Sequence, residues 1–283
     1  MDINGIVLVN KPRGISSNAV VNKVKHLLKA DKAGHLGTLD VLGEGLLPVT
    51  LGKGTKLFNY FLQKDKVYQT VFKFGETSDT LDLEGDITCR NDVKVSLQDL
   101  EKVIPSFEGK QEQLPPIYSA NKIGGKSAYQ LARAGISDIP LKKKAIEIYS
   151  IKILNQLAEN TYELEVHCSS GTYVRSLCRD IAAKLGTYGI MCSILRTKCG
   201  IFDIKDAYSL EEIKEGNFNI ISLDNVFDYE SAHINEQEFI KISNGMTIAT
   251  NLSDGEYRLY FEQKFLGIAE VRQNKLKLNL RLF

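Results

Sequence analysis

The side chains with the clearest chemical potential lie in residues 34–40 (GHLGTLD), where the single carboxylate of Asp40 follows two glycines. His35 and Thr38 add polar groups ahead of that acid. Glycine tolerates positive φ and lets the backbone approach a ligand closely, so the run is typical of a loop that presents a carboxylate to a substrate. A glycine-rich turn leading into the apolar segment 46–51 explains the run equally well when it is taken alone.

A second informative segment is residues 168–177 (CSSGTYVRSL). Gly171 and Thr172 indicate a junction between a strand and a helix, which places Tyr173 and Arg175 in the first helical turn. A cation at that position can orient a carboxylate or bind phosphate, and an aromatic ring can stack on a base. The structural alternative is that Tyr173 packs in the core and Arg175 pairs with an acid at the surface.

Motifs for nucleotide cofactors are incomplete. Residues 51–56 (LGKGTK) resemble a phosphate-binding loop superficially, but Gly54 follows Lys53 where Ser or Thr is required. Residues 43–45 (GEG) lack the third glycine of a dinucleotide fingerprint and precede a strand. We therefore expect no nucleotide cofactor.

A glycosidase that uses Asp40 with Glu44 is disfavoured, because the chain has no Trp to form a sugar platform.

The five cysteines form no C-x-x-C pair, and their number is odd. They lie among apolar neighbours, so we expect reduced cysteines in the core. A zinc site formed by His167, Cys168 and Cys178 has poor ligand spacing, and no metal is predicted.

The elements around these segments predict an α+β fold with a mixed, mainly antiparallel sheet and flanking helices. Period-two alternation over residues 67–74 predicts a strand whose apolar face starts at Tyr68. Apolar spacing predicts helices after Ser16 or Ser17, over about 55–62 and from Gly171 to Lys184. Residues 111–125 are rich in Pro, Gly and Asn and predict a mobile loop. Repeated turn signals after residue 225 predict a small β-barrel.

Charge alternates along the chain although the net charge is only +1. Residues 1–66 carry ten Lys or Arg against five acids, residues 110–145 carry seven against two, and residues 67–109 carry four against nine. Two basic blocks are compatible with a groove that binds phosphates, although clusters of lysine often only solvate a surface. No apolar run is long enough for a membrane span and no signal segment is evident, so we expect a cytoplasmic protein.

Several motifs together resemble the TruB type of tRNA pseudouridine synthases. Residues 34–40 resemble the family's GH-T/S-GTLDP motif, with Leu36 where the family has Thr or Ser and Val41 where it has Pro. Residues 66–68 resemble the family's K-x-Y strand, and residues 75–82 resemble its turn with the pattern G-x-x-TDT-x-D. Residues 113–122 resemble its QxPPxYSAxK loop, and residues 171–175 resemble its GTY-(V/I)-R motif. Two shorter matches are Asn10-Lys11-Pro12 and Leu195-Arg196.

The resemblance implies roles for individual residues. Asp40 would be the catalytic carboxylate, and Arg175 would pair with it. Tyr68 and Tyr173 would contact the target base, and His35 would occupy space vacated in the RNA loop. Lys11 and Leu195 complete the implied substrate-binding set.

The resemblance also implies an activity without a cofactor, the isomerisation of uridine 55 in the T-loop of tRNA to pseudouridine. A catalytic domain would span residues 1–222, with a loop of about 111–140 closing over the T-arm, and a PUA-like RNA-binding domain would span residues 223–283. The protein would act as a monomer without an obligate protein partner. The alternative is a tRNA-binding chaperone of the same fold with weak or lost catalysis.

Overall fold

The computed structural model describes residues 3–119, 121–136 and 139–283. It shows a mixed α+β architecture with one large sheet, one smaller C-terminal sheet and few helices, which confirms the predicted fold class. Within these residues no helix is both long and apolar enough to span a membrane. Ala120 of the predicted QxPPxYSAxK loop lies outside the described residues, as do Ser137 and Asp138.

Seven α-helices occur in the described residues. They are α1 (Ser17–Leu27), α2 (Phe58–Leu62), α3 (Leu97–Val103), α4 (Ala128–Arg133), α5 (Val174–Lys184), α6 (Leu210–Glu215) and α7 (Glu236–Ser243). Short 3-10 turns span Gly52–Leu57, Ile104–Phe107, Ile204–Asp206 and Leu223–Val226.

The strands fall into four groups in chain order. The first group is β1 (Gly5–Lys11), β2 (Ala33–His35), β3 (Glu44–Leu51), β4 (Lys66–Phe74), β5 (Glu76–Ser78) and β6 (Ile87–Arg90). The second is β7 (Gly109–Gln113), β8 (Lys122–Ile123) and β9 (Lys126–Ser127). The third is β10 (Lys144–Ala158), β11 (Thr161–Cys168), β12 (Gly189–Cys199) and β13 (Phe202–Asp203). The fourth is β14 (Glu230–Ile234), β15 (Ile248–Ala249), β16 (Gly255–Phe261), β17 (Lys264–Arg272) and β18 (Lys275–Arg281).

The large sheet has the strand order β1-β3-β12-β4-β11-β10-β7, with β2 on β3 and β13 on β12. All of its pairings are antiparallel except the short parallel contact of β12 with β3. That contact joins segments about 150 residues apart in sequence, at Leu195–Glu44 and Arg196–Gly45. It brings the end of β12 beside the segment that follows Asp40.

Gly45 is the residue that allows this contact. Its φ is +94°, and a Cβ at this position would lie 2.5 Å from the carbonyl oxygen of Arg196. No L side chain fits at such a distance, so the glycine is required by the packing of β3 against β12.

The centre of the large sheet follows from the alternation in β4. Alternate residues of β4 from Lys66 to Phe74 are buried, and the others are half-buried. Tyr68, Phe72 and Phe74 lie in one apolar core with Leu164 and Leu177, which come from β11 and α5. The predicted strand face is confirmed, and its first aromatic residue lies where the core meets the loop of Asp40.

The C-terminal sheet has the open order β14-β16-β17-β18-β15, with β14 and β16 parallel and the other pairs antiparallel. Its interior holds a core of its own that includes Leu259, Leu266 and Val271. Ile268 of this sheet and Leu282, which follows β18, also pack in a core shared with Ile6 and Leu46 of the large sheet. The two sheets are therefore in apolar contact.

Three local predictions need correction. The helix expected over 55–62 is a 3-10 turn followed by the five residues of α2, because two glycines at 52 and 54 precede it. The segment 111–125 is not an irregular loop throughout, since β7 ends at Gln113 and β8 begins at Lys122. Tyr173 precedes α5 as its N-cap residue, with extended φ and ψ of −98° and 108°, so only Arg175 lies in the first helical turn.

Candidate active site

A cavity of about 260 Å³ opens where the loop of Asp40, strands β4 and β12 and the start of α5 meet. Its walls are partly polar and partly apolar. The titratable and aromatic residues of its lining are Asp40, Lys66, Tyr68, Tyr173, Arg175 and Arg196.

Asp40 and Arg175 form an ion pair at the edge of this cavity. The distance from Arg175 Nη2 to Asp40 Oδ2 is 2.7 Å. The Arg175 side chain is 7% exposed, whereas that of Asp40 is 48% exposed. The arginine is therefore fixed in the protein, and the carboxylate that it orients stays accessible to a substrate.

The position of Arg175 is determined by three further partners. Its Nη1 lies 3.2 Å from Oδ2 of Asp82, whose side chain is 1% exposed. Its guanidinium also donates to the carbonyl oxygens of Thr80 at 2.9 Å and Tyr118 at 3.0 Å. These acceptors fix the orientation of the planar guanidinium, so that its Nη2 faces Asp40.

Asp82 is itself held by hydrogen bonds from other residues of the same turn. Its Oδ1 accepts from Thr80 Oγ1 at 2.6 Å and from the amide of Glu84 at 3.0 Å. The carbonyl of Asp82 accepts from Ser78 Oγ at 2.6 Å. The buried carboxylate thus has donor partners on both oxygens, since Arg175 lies against Oδ2, as a buried charge requires.

The loop of Asp40 is fixed from behind by Lys11, which is fully buried in β1. Its Nζ donates to the carbonyl oxygens of Pro12 at 3.0 Å, Val41 at 3.3 Å and Gly43. Burial lowers the pKa of Lys11 to about 8, while the charges of Glu44 and Asp40 act in the opposite direction. Lys11 holds the backbone on the far side of Asp40.

This pKa predicts a pH dependence of stability. The unfolded chain binds the Lys11 proton with a pKa near 10.5 and the folded chain releases it near 8. Above pH 8 the unfolded state binds more protons, so stability rises with pH up to about 10.5. We expect the free energy of unfolding of the wild type, minus that of Lys11→Met, to increase by roughly 3 kcal/mol over this range. Urea unfolding at several pH values measures it, and a constant difference would contradict the expectation.

Ser17, the first residue of α1, fixes the residue that precedes Asp40. Its Oγ donates to the carbonyl of Leu39 and accepts from the amide of Leu39, both at 2.8 Å. Ser17 is 2% exposed and Leu39 is 5% exposed, so water does not replace these bonds.

We expect Ser17→Ala to lower the free energy of unfolding by about 2 to 4 kcal/mol, since two buried backbone groups lose their partner. We also expect a roughly tenfold or larger loss of turnover, because Asp40 loses its fixed position. The matched control is Ser16→Ala, which removes only the N-cap bond to Ala19 and costs about 1 kcal/mol. Equal effects of the two substitutions on turnover would show that Ser17 does not position the loop.

Tyr68 and Tyr173 supply the aromatic walls of the cavity. Burial raises the pKa of both phenols, so both side chains are neutral and can accept or donate a hydrogen bond. The backbone of Tyr173 is held by Gln113, whose Oε1 accepts from the amide at 2.8 Å and whose Nε2 donates to the carbonyl at 3.1 Å. Gln113 ends β7, so the predicted loop begins in direct contact with the site.

Arg196 and Lys66 add two cations to the inner wall. Arg196 is 1% exposed, and it donates from Nε to the carbonyl of Leu46 at 2.8 Å and from Nη2 to the carbonyl of Gly37 at 3.1 Å. Lys66 is 6% exposed, and burial lowers its pKa. Both side chains line the same cavity as Asp40.

Comparison with known proteins finds relatives along nearly the whole chain. The family model for the TruB family pseudouridylate synthase (N terminal domain) matches residues 25–174, which is more than half of the chain. The tRNA pseudouridine synthase B of Clostridium kluyveri is 38% identical over 99% of this chain and 100% of that protein. The protein of the same name from Fusobacterium nucleatum is 40% identical over 97% of this chain and 98% of that protein.

The chain belongs to the TruB family.

Solved structures share its fold. An H/ACA ribonucleoprotein bound to a substrate RNA containing 2′-deoxyuridine matches with a TM-score of 0.70 and 19% identity, over 99% of this chain and 85% of that chain. An archaeal box H/ACA complex of Nop10 and Cbf5 matches with a TM-score of 0.69 and 19% identity, over 99% and 86%. At these identities the likeness concerns the fold.

The structure does not bring all residues selected from the TruB motifs to one place. Asp40, Tyr68, Tyr173 and Arg175 line a single cavity. Lys11 does not line it and instead binds backbone carbonyls behind the loop. These placements divide the selected residues into cavity-lining and supporting ones.

His35 and Leu195 also lie away from the cavity of Asp40. His35 lines a separate surface groove with Asn18, Asn22 and Phe58, and its Nδ1 accepts from the amide of Gly37 at 3.4 Å. Leu195 lies between Ile194 and Arg196 on β12, and those two neighbours line the cavity while Leu195 does not. Because side chains alternate along a strand, the residue between two cavity residues points to the other face.

The two departures from the TruB motif have different environments. Leu36 is fully buried and packs with Ile6, Leu46 and Phe202 in the core shared by the two sheets. Val41 is 39% exposed and uses its carbonyl to accept from Lys11 and from the amide of Gly14 at 2.9 Å. A backbone contact does not depend on the side chain, so Val41 keeps the support of the loop.

Sequence reasoning assigned no role to Asp82, Ser17 or the cation Arg196. Asp82 and Arg196 lie within segments that resemble TruB motifs, and this position is the feature of the sequence that could have indicated a role for them. The sequence indicates Ser17 only as a candidate helix cap, and the structure assigns that cap to Ser16. Outside the cavity, His167 pairs with Asp65 at 2.6 Å, and no group of three or more potential metal ligands occurs in the part of the chain described.

Proposed function

We propose that this chain isomerises uridine 55 in the T-loop of tRNA to pseudouridine. Membership of the TruB family and the activity named for relatives that match over nearly their whole length support action on a tRNA uridine. The observation that carries the proposal is the accessible carboxylate of Asp40, held by the buried Arg175 beside Tyr68 and Tyr173.

The reaction breaks the N1–C1′ bond, turns the uracil within its site and joins C5 to C1′. Asp40 either attacks C1′ or removes the proton from C2′. Both routes need an ionised carboxylate at the sugar. Arg175 orients this carboxylate, because its guanidinium is buried and lies 2.7 Å from Asp40 Oδ2.

The target base must leave the RNA stack to reach Asp40. Extrusion of a base costs a few kcal/mol, which stacking on aromatic rings offsets. Tyr68 and Tyr173 are the rings in contact with the cavity space. Since their phenols are neutral, they pack against uracil without adding a negative charge beside Asp40.

The proposal extends to the way the RNA is held. The basic blocks of residues 1–66 and 110–145 contact the phosphates of the T-arm, and the segment 111–140 closes over it. Residues 1–222 form the catalytic domain and residues 223–283 a PUA-like RNA-binding domain, which is supported by the separate core of the C-terminal sheet. The protein acts in the cytoplasm as a monomer without an obligate protein partner.

The test is incubation of the full chain with an unmodified tRNA transcript, followed by mass-shift labelling of pseudouridine and mapping of its position. We expect one pseudouridine, at position 55. A second transcript with cytidine at this position serves as the control and should stay unmodified. Binding of the transcript without any conversion would reject the proposal in favour of a chaperone.

A further inference from the structure

Arg196 is a buried cation whose contacts in the cavity wall are all neutral. Its guanidinium donates to the carbonyls of Leu46 and Gly37, and its charge acts to lower the pKa of the neighbouring Tyr68 phenol against the larger effect of burial. None of the ion pairs in residues 3–119, 121–136 and 139–283 involves it. Arg175, which lines the same cavity, pairs with both Asp40 and Asp82.

A buried charge without a counter-charge is costly. Desolvation of an ion costs several kcal/mol, and hydrogen bonds to neutral carbonyls recover only part of it. A neutral amide side chain could donate to a backbone carbonyl at a lower cost. The positive charge of Arg196 therefore needs an account beyond the support of residues 37 and 46.

The reaction itself supplies a matching negative charge. When the N1–C1′ bond breaks, its electron pair stays on N1, whether Asp40 forms a bond to C1′ or removes the C2′ proton. Uracil then leaves as a monoanion, with charge spread over N1, O2 and O4. The anion next attacks C1′ through C5, while the Asp40–C1′ bond breaks on the first route or the C2′ proton returns on the second. C5 then loses its proton and N1 gains one.

The cations lie where this anion forms. Arg196 and Lys66 line the cavity together with Tyr68. Both side chains lie close to Gly37, which is in the loop of Asp40 and has no side chain. A Cβ at Gly37 would lie 3.4 Å from Arg196 Nη1 and 4.0 Å from Lys66 Cε. Both cations thus approach one side of the space that the detached base must occupy.

We propose that Arg196, with Lys66 beside it, is a catalytic residue that stabilises the detached uracil anion. This inference rests on the proposed isomerase function. It resembles the stabilisation of developing oxyanions by preorganised donors, which is effective because the site excludes water. A residue that only supported the loop would act equally on every substrate base.

The experiment compares two synthetic T-arm stem-loops, one with uridine and one with 5-fluorouridine at the target position. Fluorine withdraws electrons and stabilises the anion of the leaving base, so the fluorinated substrate depends less on the protein for this purpose. Single-turnover loss of the target nucleoside is followed for the wild type, Arg196→Gln and the control Arg90→Gln, which removes an exposed arginine of β6 that does not line the cavity.

We expect Arg196→Gln to slow the loss of uridine by about 10²-fold or more and the loss of 5-fluorouridine by much less. RNA affinity and the unfolding midpoint are recorded for each variant. Equal slowing with both substrates would overturn the inference and leave the isomerase function intact. Failure of the wild type to convert either stem-loop would reject the isomerase function and this inference together.

Lys66→Met keeps the experiment decisive where Arg196→Gln does not fold, because it leaves the bonds of Arg196 to Leu46 and Gly37 in place. We expect the same selective loss on uridine, smaller in size. Equal losses on the two substrates with this variant would also overturn the inference.

Discussion

Asp40→Asn is expected to reduce pseudouridine formation by more than about 10⁴-fold while the protein still binds tRNA. Asparagine has nearly the shape of aspartate but is neither a nucleophile nor a base at the sugar, and removal of such a group typically costs 10²-fold to 10⁶-fold. Single-turnover conversion of a tRNA transcript measures the loss. Filter binding measures the affinity.

The folded state should tolerate this change. Asp40 is 48% exposed and Arg175 keeps Asp82 and two carbonyls as partners, so we expect little change of the unfolding midpoint. The control is Asp79→Asn, a change in the acidic turn at a residue that does not line the cavity. Asp40→Asn protein that retained turnover within tenfold of the wild type would contradict the assignment of Asp40.

Asp82→Ala is expected to cause the second large effect, on stability and turnover together. The substitution leaves Arg175 with the half-exposed Asp40 as its remaining carboxylate and removes the acceptor of Thr80 Oγ1 and of the Glu84 amide. Removing one member of a buried ion pair costs about 3 to 5 kcal/mol. Turnover should fall by about 10²-fold, because a guanidinium without its second anchor no longer fixes Asp40.

Urea unfolding and single-turnover kinetics measure these two effects. Asp82→Asn is the informative companion, since it keeps one oxygen for Thr80 and Glu84 but removes the charge that faces Arg175. We expect it to recover part of the stability and little of the turnover. Full turnover in Asp82→Asn would show that the charge of Asp82 does not act through Arg175.

Much of the local structure could be predicted because neighbours in sequence determine it. The alternation of β4 and the Ser16 cap of α1 follow from residues within a few positions of each other. The exceptions are also local: two glycines turn the expected helix over 55–62 into a 3-10 turn with only a short α-helix after it. Tyr173 is the N-cap residue of α5 and not part of its first turn, because its backbone is extended.

The candidate site could be predicted only in part, because a sequence motif does not show which face of a strand a side chain occupies. The motif around Asp40 and the GTYVR segment indicated the pair of Asp40 and Arg175, and the structure places their charged groups 2.7 Å apart. The TruB motifs also selected Leu195 and His35, which do not line that cavity. A motif preserves residue identity and spacing, but the face of a strand on which a side chain lies depends on register and on neighbouring strands.

By itself, the sequence predicted the α+β class from local periodicity, and its resemblance to the TruB motifs implied the roles of Asp40, Arg175 and the two tyrosines. The tertiary structure decided that Asp82 anchors Arg175, that Lys11 and Ser17 fix the loop from behind, and that Arg196 is a buried cation of the cavity wall. These three facts depend on contacts between segments 22 to 159 residues apart, such as the bond from Arg196 to Gly37. The order of strands in the sheet creates such contacts, and no local pattern encodes that order.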